Sequence, residues 1–284
     1  SIEAKNTKTR YLVQGTILAD ILETKGGIKT QHNVLEQMGI DTSGRYGFKV
    51  VEPLVSLYKH DVRKVARYLK IPPEISERQP FPGPGLLVRV VGEVTADKLT
   101  TLKRATAIAE EEFSKHQPSQ YFAAIIDNRE LDEPQVVSSV QDVAARSLGI
   151  ELKNVSGRIL EDRATGVRGK TRQYGEILVL RCRKSGDGLC QPPLEDLVDL
   201  QDLIISYNPS ITRVLYAISR EVENKPYVIA VRAVKTQDFM TAKIAEIPWS
   251  TLNKTAREIA EACPNVSSIC YDVTPKPPAT IEME

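Results

Sequence analysis

The sequence predicts an α/β layer followed by an α+β domain. Short apolar runs alternate with helically spaced apolar residues within residues 1–80. A strand–helix–strand unit then occurs twice in the final third of the chain. Because the 284 residues exceed the usual size of one domain, we expect two domains of unequal length.

The composition is that of a globular protein with a substantial apolar core. Hydrophobic residues make up 41% of the chain and charged residues 26%, with a formal net charge of +1. This balance argues against long-range attraction to nucleic acid or to an anionic membrane. Any anionic ligand must therefore be held by local groups of lysine and arginine.

The first domain reads as strand, turn and helix. Tyr11–Val13 is a short strand, and the apolar residues within Ile17–Leu22 have helical spacing. A second strand is expected at Tyr46–Val51. A second helix is expected to have Ser56 as its cap and to be ended by Pro72 and Pro73. Since a parallel sheet needs several strands to bury both faces, this domain is expected to be the later part of a larger one.

The segment Arg78–Leu86, RQPFPGPGL, fits neither a helix nor a central strand and is the expected domain boundary. Beyond it, Thr95 is expected to cap a helix whose inward residues run from Leu99 to Phe113. A strand at Tyr121–Ile126 and a helix over Val136–Ala144 follow.

The internal repeat predicts the architecture of the second domain. Ile177–Arg181 is echoed by Val228–Arg232, and each leads through a helix to a strand that ends in tyrosine, Arg213–Tyr216 and Ser268–Tyr271. Two such units would place helices on one face of a partly antiparallel sheet. A second copy of the chain is the simplest cover for an exposed face of that sheet.

The four cysteines, Cys182, Cys190, Cys263 and Cys270, form no C-x-x-C pair, so a zinc site is not expected. Cys182 and Cys270 lie within strand-like apolar runs and are interpreted as small buried hydrophobic residues in a reducing cytoplasm, with a disulfide framework as the alternative. The chain contains no apolar run long enough for a membrane span, and its first residues lack the apolar region of a signal peptide. A cytoplasmic protein without membrane or nucleic-acid partners is expected.

The last ten residues, Pro275–Glu284, combine three prolines with a cation, a hydroxyl and two carboxylates. Proline pre-sets an extended path at low entropic cost, so this tail is suited to docking. Lys276, Thr280 and Glu282 offer the groups that clasp a nucleotide. The alternative is a solvated end whose prolines only follow the last strand.

Four strings, QGTILAD, QPFPGPGLLVRV, KTQDFMTA and KPPATIE, together resemble the synthetase portion of GMP synthase in sequence and in order. The resemblance implies that residues 1–80 are the C-terminal part of an adenine-nucleotide α-hydrolase-like ATP pyrophosphatase domain, including its lid. It implies that residues 81–284 are a dimerisation domain that binds xanthosine monophosphate (XMP). The implied reaction uses ATP and Mg²⁺ to convert XMP into GMP with release of AMP and pyrophosphate.

On the ATP side, the resemblance points to the turn at Gln14, Gly15 and Thr16, where Thr16 is expected to cap the next helix. A plain strand–helix turn is the alternative. Asp20 and Glu23 match acidic positions of the lid and, three residues apart on one helix face, are candidates for holding Mg²⁺. Solvated helix carboxylates are the commoner case.

The lid string IKTQHN implies two catalytic residues, Lys29 and His32. Lys29 is expected to stabilise the adenylation transition state and His32 to position the reacting groups. An ordinary polar loop is the alternative.

On the XMP side, the resemblance covers the PGPG loop, a glycine-bearing segment before a long strand, and the tail. The substrate-binding residues that it implies are Gly83, Pro84, Gly85, Arg172, Lys276, Thr280 and Glu282. The chain departs from the family at Gln31 and Gln79, where histidine is usual, at Lys170, where aspartate is usual, and at Met283, where tryptophan is usual.

The family's S-G-G-x-D-S pyrophosphate loop does not occur in this sequence, and GIDTSG at Gly39–Gly44 is interpreted as a loop instead. A glutamine amidotransferase domain or subunit is implied as the ammonia source. Two other hypotheses remain open at this point. One is a nucleotide-binding scaffold that has lost catalysis, and the other is an RNA-thiolating ATP pyrophosphatase, against which the neutral charge speaks.

Overall fold

The structure is a computed structural model that describes residues 9–25, 39–77, 79, 85–169, 171–184, 188–237 and 239–284, without the side chains of residues 23 and 25. The chain divides into two units. The first comprises Ser1–Arg78 with the short segments Gly169–Thr171 and Gln237–Met240. The second comprises Gln79–Arg168, Arg172–Thr236 and Thr241–Glu284.

In the first unit two short strands lie parallel, with Tyr11 opposite Lys49. They are flanked by helices, as the alternating apolar pattern predicts for an α/β layer. The elements are β1 (Tyr11–Val13), α1 (Leu18–Lys25), α2 (Thr42–Tyr46), β2 (Lys49–Val51), α3 (Lys59–Tyr68) and α4 (Pro73–Ser76).

Several local predictions in this unit were wrong. The helix assigned to a Ser56 cap begins at Lys59 after Tyr58, because residues 53–56 form a turn that competes with helix initiation. It ends at Tyr68, before the prolines, and Pro73 instead begins α4. GIDTSG is not only a loop, since the Asp41 carboxylate accepts a hydrogen bond from the Gly44 N–H and caps α2.

The second unit is built on one mixed sheet. Its strands have the order β3-β8-β10-β7-β6-β5-β4, and β9 pairs with β8. The strands are β3 (Gln120–Asp127), β4 (Glu130–Leu131), β5 (Val155–Arg168), β6 (Thr171–Cys182), β7 (Ile211–Ala217), β8 (Tyr227–Lys235), β9 (Lys243–Ile244) and β10 (Val266–Asp272). The helices are α5 (Ala96–Ser114), α6 (Pro134–Leu148), α7 (Leu194–Tyr207) and α8 (Trp249–Ala262), with 3₁₀ turns at Gly85–Arg89 and Leu152–Asn154.

The repeat predicted from the sequence is confirmed in the sheet. β6 and β7 pair in parallel, as do β8 and β10, and the two repeats meet along the antiparallel pair β7 and β10. The terminal tyrosines of the two repeats, Tyr216 and Tyr271, lie opposite each other in that pair. Each ring packs edge-on against an aromatic side chain of a helix, Trp249 at 6.0 Å and Phe113 at 6.3 Å between centroids.

The main apolar core brings together residues from six strands of this sheet, from Val91 and from the C-terminal tail. Burial of apolar side chains such as these is the dominant favourable contribution to folding. Its members are Val91, Ala124, Ile126, Leu160, Ala164, Ile177, Val179, Leu215, Ala217, Val228, Ala230, Cys270 and Met283.

Helix α5 begins as predicted, because the Thr95 hydroxyl accepts a hydrogen bond from the Lys98 N–H. Leu102 and Phe113 are fully buried on its inner face. The expected inward Leu99 is only half-buried. Lys98 is buried instead, since its ammonium donates to the Val91 carbonyl at 3.0 Å and pairs with Asp127 at 2.7 Å.

Helices α5 and α8 are joined by one carboxylate. Glu112 accepts hydrogen bonds from Lys115 on the carboxyl-terminal side of α5 and, at 2.8 Å, from Lys254 on α8. The Lys115 hydrogen bond, followed by that of Lys254, lowers the pKa of Glu112 below its ordinary value of 4.5. The ionised carboxylate is therefore stabilised more in the folded than in the unfolded protein.

We predict that Glu112→Gln destabilises the second unit at neutral pH and that this difference disappears in acid. Since the folded pKa lies below 4.5, the contribution of the carboxylate is complete above that pH and is lost as the pH falls through the folded value. Urea unfolding, followed by the fluorescence of the single tryptophan, Trp249, measures it. Glu111→Gln is the control, because Glu111 is exposed on the same helix. An equal loss of stability at pH values well above and well below the folded pKa would contradict the prediction.

Candidate functional site

In the first unit, the turn after β1 lies at the carboxyl end of two parallel strands, the usual position of nucleotide sites in α/β sheets. The predicted residues Gln14, Gly15 and Thr16 form this turn. A Cβ atom added to Gly15 would have no neighbour within 4 Å among the described residues, so there is open space beside the backbone. The buried Gln14 Oε1 has no hydrogen-bond partner in the described part of the chain.

The start of α1 is capped differently from the prediction. The Thr16 hydroxyl donates to Glu52 Oε1 at 2.6 Å and does not cap the helix. Instead, the Ile17 N–H donates to Asp20 Oδ2 at 2.9 Å, as in the reciprocal half of a capping box. Asp20 therefore has a structural role at the helix start, and its role in holding Mg²⁺ stays a prediction.

Several predicted site residues lie outside the described residues: Lys29, His32, Gly83 and Pro84, together with the Glu23 side chain. Their assignments stay predictions. The remaining substrate-side candidates, Gly85, Arg172, Lys276, Thr280 and Glu282, all lie in described segments of the chain.

The C-terminal tail is docked along the sheet of the second unit. Lys276 exchanges two backbone hydrogen bonds with Ala242, at 2.8 and 2.9 Å. The Val167 N–H donates to the Pro278 carbonyl at 2.7 Å, and the Thr165 N–H donates to the Met283 carbonyl at 2.8 Å. The tail is thus held at several points along its length, and the alternative of a solvated end does not describe it.

The close approach of the tail to β5 requires a glycine. A Cβ atom on Gly166 would lie 2.8 Å from Thr212 Cγ2 and 2.9 Å from the Pro278 carbonyl oxygen. Either neighbour would have to move to admit a side chain, and one of them is backbone. Gly166 therefore permits the tail to lie against the strand.

Two buried arginines and one buried aspartate on strands of the sheet anchor the tail. Arg213 and Arg232 both bind Asp272 Oδ2, at 2.9 and 2.8 Å, and the three side chains are between 0% and 1% exposed. Arg232 also donates to the Thr274 carbonyl at 2.7 Å and to the Thr280 carbonyl at 3.1 Å. Its planar guanidinium therefore closes the arch formed by residues 274–280.

Arg213 makes the second set of tail contacts. Its Nη2 donates to the Thr280 hydroxyl at 2.8 Å, to the Glu282 carbonyl at 2.5 Å and to the Thr165 carbonyl at 3.2 Å. Burial lowers the pKa of Arg213 to about 10, against the opposing effect of Asp272. The guanidinium therefore remains charged at neutral pH, and its hydrogen bonds are charge-assisted.

The Glu282 carboxylate is bound by a third buried arginine. Arg89 contacts its two oxygens through Nε at 3.1 Å and Nη2 at 3.4 Å, and Gln120 donates to it at 2.7 Å. The Arg89 guanidinium also lies 4.3 Å from the centre of the Phe122 ring. Because Arg89 ends the 3₁₀ turn that follows the PGPG segment, this ion pair connects that turn to the tail.

The two sides of the PGPG segment are fixed. Gln79 donates to Glu110 at 2.9 Å and accepts a hydrogen bond from the Tyr121 N–H at 2.9 Å. On the other side, Gly85 has a φ of 70°, a conformation that favours glycine. The Gln79 side chain therefore makes two internal hydrogen bonds.

Arg172 is exposed near the end of the tail. Its guanidinium carbon lies 5.6 Å from the centre of the Tyr174 ring. Burial raises the pKa of Glu284, while hydrogen bonds from the Gly92 N–H and from Tyr174, and the charge of Arg172, oppose that increase. Arg172 therefore contributes a solvent-accessible positive charge beside the last residue of the chain.

The structure brings together Thr280 and Glu282 but gives both of them internal partners. The residues that organise them were not predicted from the sequence: Arg89, Arg213, Arg232 and Asp272. A signal was present, since Arg213 and Asp272 are the only charged residues of β7 and β10, and Arg232 lies between apolar residues of β8. Such residues are rarely buried unless they are paired.

No helix in the described segments is long and apolar enough to cross a membrane. Within the same segments, no three or more His, Cys, Asp or Glu residues are grouped so that they could hold a metal ion.

Comparison with known proteins assigns the chain to a class of biosynthetic ligases. A family model of the GMP synthase C-terminal domain matches residues 221–283. A subunit of the glutamine-hydrolyzing GMP synthase of Sulfurisphaera tokodaii is 46% identical over 283 residues, which are 99% of this chain and 69% of that protein. The corresponding GMP synthase subunits of Saccharolobus solfataricus and Archaeoglobus fulgidus are 45% and 37% identical over 282 residues, 68% and 63% of their lengths.

The chain belongs to the family of these GMP synthase subunits. The resemblance seen in the sequence is thereby confirmed, as is a mixed fold of α/β and α+β parts. Membership assigns the chain to the synthetase component of the ligase.

We predict that Asp272→Asn destabilises the second unit by about 3 to 5 kcal/mol, because two buried guanidinium groups lose their shared counter-charge. The amide is nearly isosteric, so the loss reports charge and not volume. Urea unfolding followed by Trp249 fluorescence measures it. Glu151→Gln is the control, since Glu151 pairs with Lys153 on the exposed surface. A stability equal to that of the control would show that Asp272 does not hold the cluster.

Proposed function

We propose that this protein aminates XMP to GMP in a reaction that consumes ATP. The C2 oxygen of the xanthine attacks the α-phosphorus of ATP, the bond to pyrophosphate breaks, and an adenylated XMP forms. Ammonia then adds at C2, loses a proton, and displaces AMP as the carbon–oxygen bond breaks. Both steps depend on fixed geometry and on exclusion of water.

The observation that carries the proposal is the docked tail in a chain of this family. Lys276 lies in an arch that Arg232 closes through the Thr274 and Thr280 carbonyls. A lysine on a fixed backbone suits the phosphate of a mononucleotide. We propose that Lys276 and Thr280 bind this phosphate and that Arg172 contributes its exposed charge.

Glu282, Gly83, Pro84 and Gly85 complete the proposed XMP site. The Arg89 contact to Glu282 connects the tail to the turn that begins at Gly85, so the two segments are suited to act as one unit. In the proposed site, the Glu282 carboxylate binds the purine or the ribose while it remains paired with Arg89. The glycines admit the substrate close to the backbone.

ATP is proposed to bind at the turn formed by Gln14, Gly15 and Thr16. The open space beside Gly15 and the buried Gln14 Oε1, which has no partner among the described residues, support this assignment. The Gln14 oxygen can accept a hydrogen bond, for example from the exocyclic amine of an adenine.

Mg²⁺ is part of the proposal, with Asp20 and Glu23 as the residues that would hold it. Carboxylates on one helix face are the ligand type that Mg²⁺ takes together with substrate phosphates. When bound, the ion would neutralise phosphate charge. Lys29 is proposed to stabilise the charge that develops during adenylation, and His32 is proposed to orient the reacting groups.

The proposed partners are a glutamine amidotransferase domain or subunit that supplies ammonia, and a second copy of the chain. The names of the related proteins describe them as subunits of a glutamine-hydrolyzing enzyme, which supports the first partner. We place the dimer contact in residues 81–284 and the protein in the cytoplasm.

The test is to incubate the complete natural polypeptide with ATP, Mg²⁺ and ammonium, with and without XMP. We expect AMP release that depends on XMP and is matched by GMP formation. A folded protein that releases no AMP under either condition would contradict the proposal and would favour a nucleotide-binding scaffold.

We predict that Lys276→Gln raises the KM for XMP by roughly tenfold or more, because a charge-assisted hydrogen bond to phosphate is lost. The KM for ATP should change less than about twofold. Steady-state AMP release, with each nucleotide varied in turn, measures both. Lys243→Gln is the control, since it makes the same charge change at an exposed residue on β9. Equal effects of the two substitutions would contradict a specific role for Lys276.

A further inference from the structure

The arch of the tail, residues 274–280, is held at its two ends by one side chain. Arg232 donates from Nη1 to the Thr274 carbonyl and from Nη2 to the Thr280 carbonyl, at 2.7 and 3.1 Å. Asp272 fixes the orientation of this guanidinium and also accepts a hydrogen bond from the Thr274 N–H at 3.0 Å. Arg232, together with the two backbone hydrogen bonds between Lys276 and Ala242, therefore fixes the backbone on either side of Lys276.

A lysine at position 232 could not make the same set of contacts. The guanidinium is a planar fork, whereas an ammonium is a compact donor at the end of a flexible stem. At position 232 a lysine could keep its pair with Asp272, but it would not span the carbonyls of Thr274 and Thr280. The two hydrogen bonds to the Thr274 and Thr280 carbonyls therefore require an arginine, and a positive charge alone is not sufficient.

The Thr280 end of the arch has a second support. Thr165, fully buried on β5, lies 2.7 Å from Thr280 between the two hydroxyl oxygens. The Thr280 hydroxyl also receives a hydrogen bond from Arg213 at 2.8 Å. It also donates to the Glu282 carbonyl at 2.6 Å, and together these contacts fix the orientation of the Thr280 side chain.

We propose that Arg232 is a positioning residue for the purine mononucleotide: it fixes the arch so that Lys276 and Thr280 present a preformed phosphate site. Arg232 itself is 1% exposed and does not touch the substrate. Preorganisation of this kind raises affinity by removing the ordering cost from the binding step. The proposal rests on the function proposed above, since it assumes that the phosphate belongs to XMP.

The kinetic test compares Arg232→Lys with wild type in the complete natural polypeptide. We expect the KM for XMP to rise by roughly tenfold, as for the loss of one charged hydrogen bond, with kcat and the KM for ATP changed less than about twofold. A merely structural role would lower the fraction of active enzyme, so that kcat would fall while both KM values stayed unchanged. That result would overturn the proposal. Arg163→Lys, at an exposed position on β5, is the control.

A second measurement does not depend on turnover. In hydrogen exchange, the amides of Lys276 and Ala279, the only N–H groups between Pro275 and Thr280, should exchange roughly tenfold faster in Arg232→Lys, while amides of β3 stay unchanged. Unchanged exchange in the arch would overturn the proposal. If the wild-type protein neither releases AMP nor binds XMP in calorimetry, the proposed function fails. Faster exchange in the variant would then show only that Arg232 fixes the arch, and its role in binding XMP would be rejected.

Should Arg232→Lys fail to fold, Thr165→Val tests the other support of the same arch. Valine keeps the volume but removes the hydroxyl that contacts Thr280. We expect a rise in the KM for XMP without a change in the KM for ATP. Thr255→Val is the matched control, because the buried Thr255 hydroxyl has no partner among the described residues. Equal KM values for XMP in the two variants would overturn the proposal.

Discussion

The second unit depends on the pairing of the Asp272 carboxylate with two buried arginines. The carboxylate lies at the end of β10 with no exposed surface and binds two arginines from neighbouring strands, Arg213 and Arg232. Burying three charged groups is costly, and hydrogen bonds from the guanidinium groups to backbone carbonyls offset part of that cost. Most of these carbonyls belong to the tail or to Thr274 just before it. The same hydrogen bonds therefore dock the tail and compensate the buried charges.

This coupling gives the candidate site its rigidity. Met283 lies in the main apolar core, and Glu282 binds Arg89 in the turn that follows the PGPG segment. The last residues of the chain are thus part of the interior, while Lys276 lies in an arch between two anchored ends. A phosphate would meet a lysine whose backbone is already ordered, which favours tight binding of a small anionic substrate.

Much of the second unit could be predicted from sequence, because its signals are local. The repeat and the Thr95 cap are confirmed, as is the apolar face of α5 except for Leu99, which is only half-buried. Ser56 and Thr16 were wrong as caps, since a turn at residues 53–56 and the Glu52 side chain compete for them. The arginine cluster was missed for another reason. Arg213 and Asp272 are 59 residues apart, and periodicity within one strand does not reveal a partner on another.

The docking of the tail by Asp272 and its arginines is tested most directly by the environment of the Met283 methyl group. The chain contains three methionines, so ¹³C-methyl labelling gives a spectrum with few signals. If Asp272 and its arginines dock the tail, the Met283 signal in the wild-type protein lies away from the position of a solvated methionine, and in Asp272→Asn it moves towards that position. A Met283 signal at the solvated position in the wild-type protein would contradict the central claim.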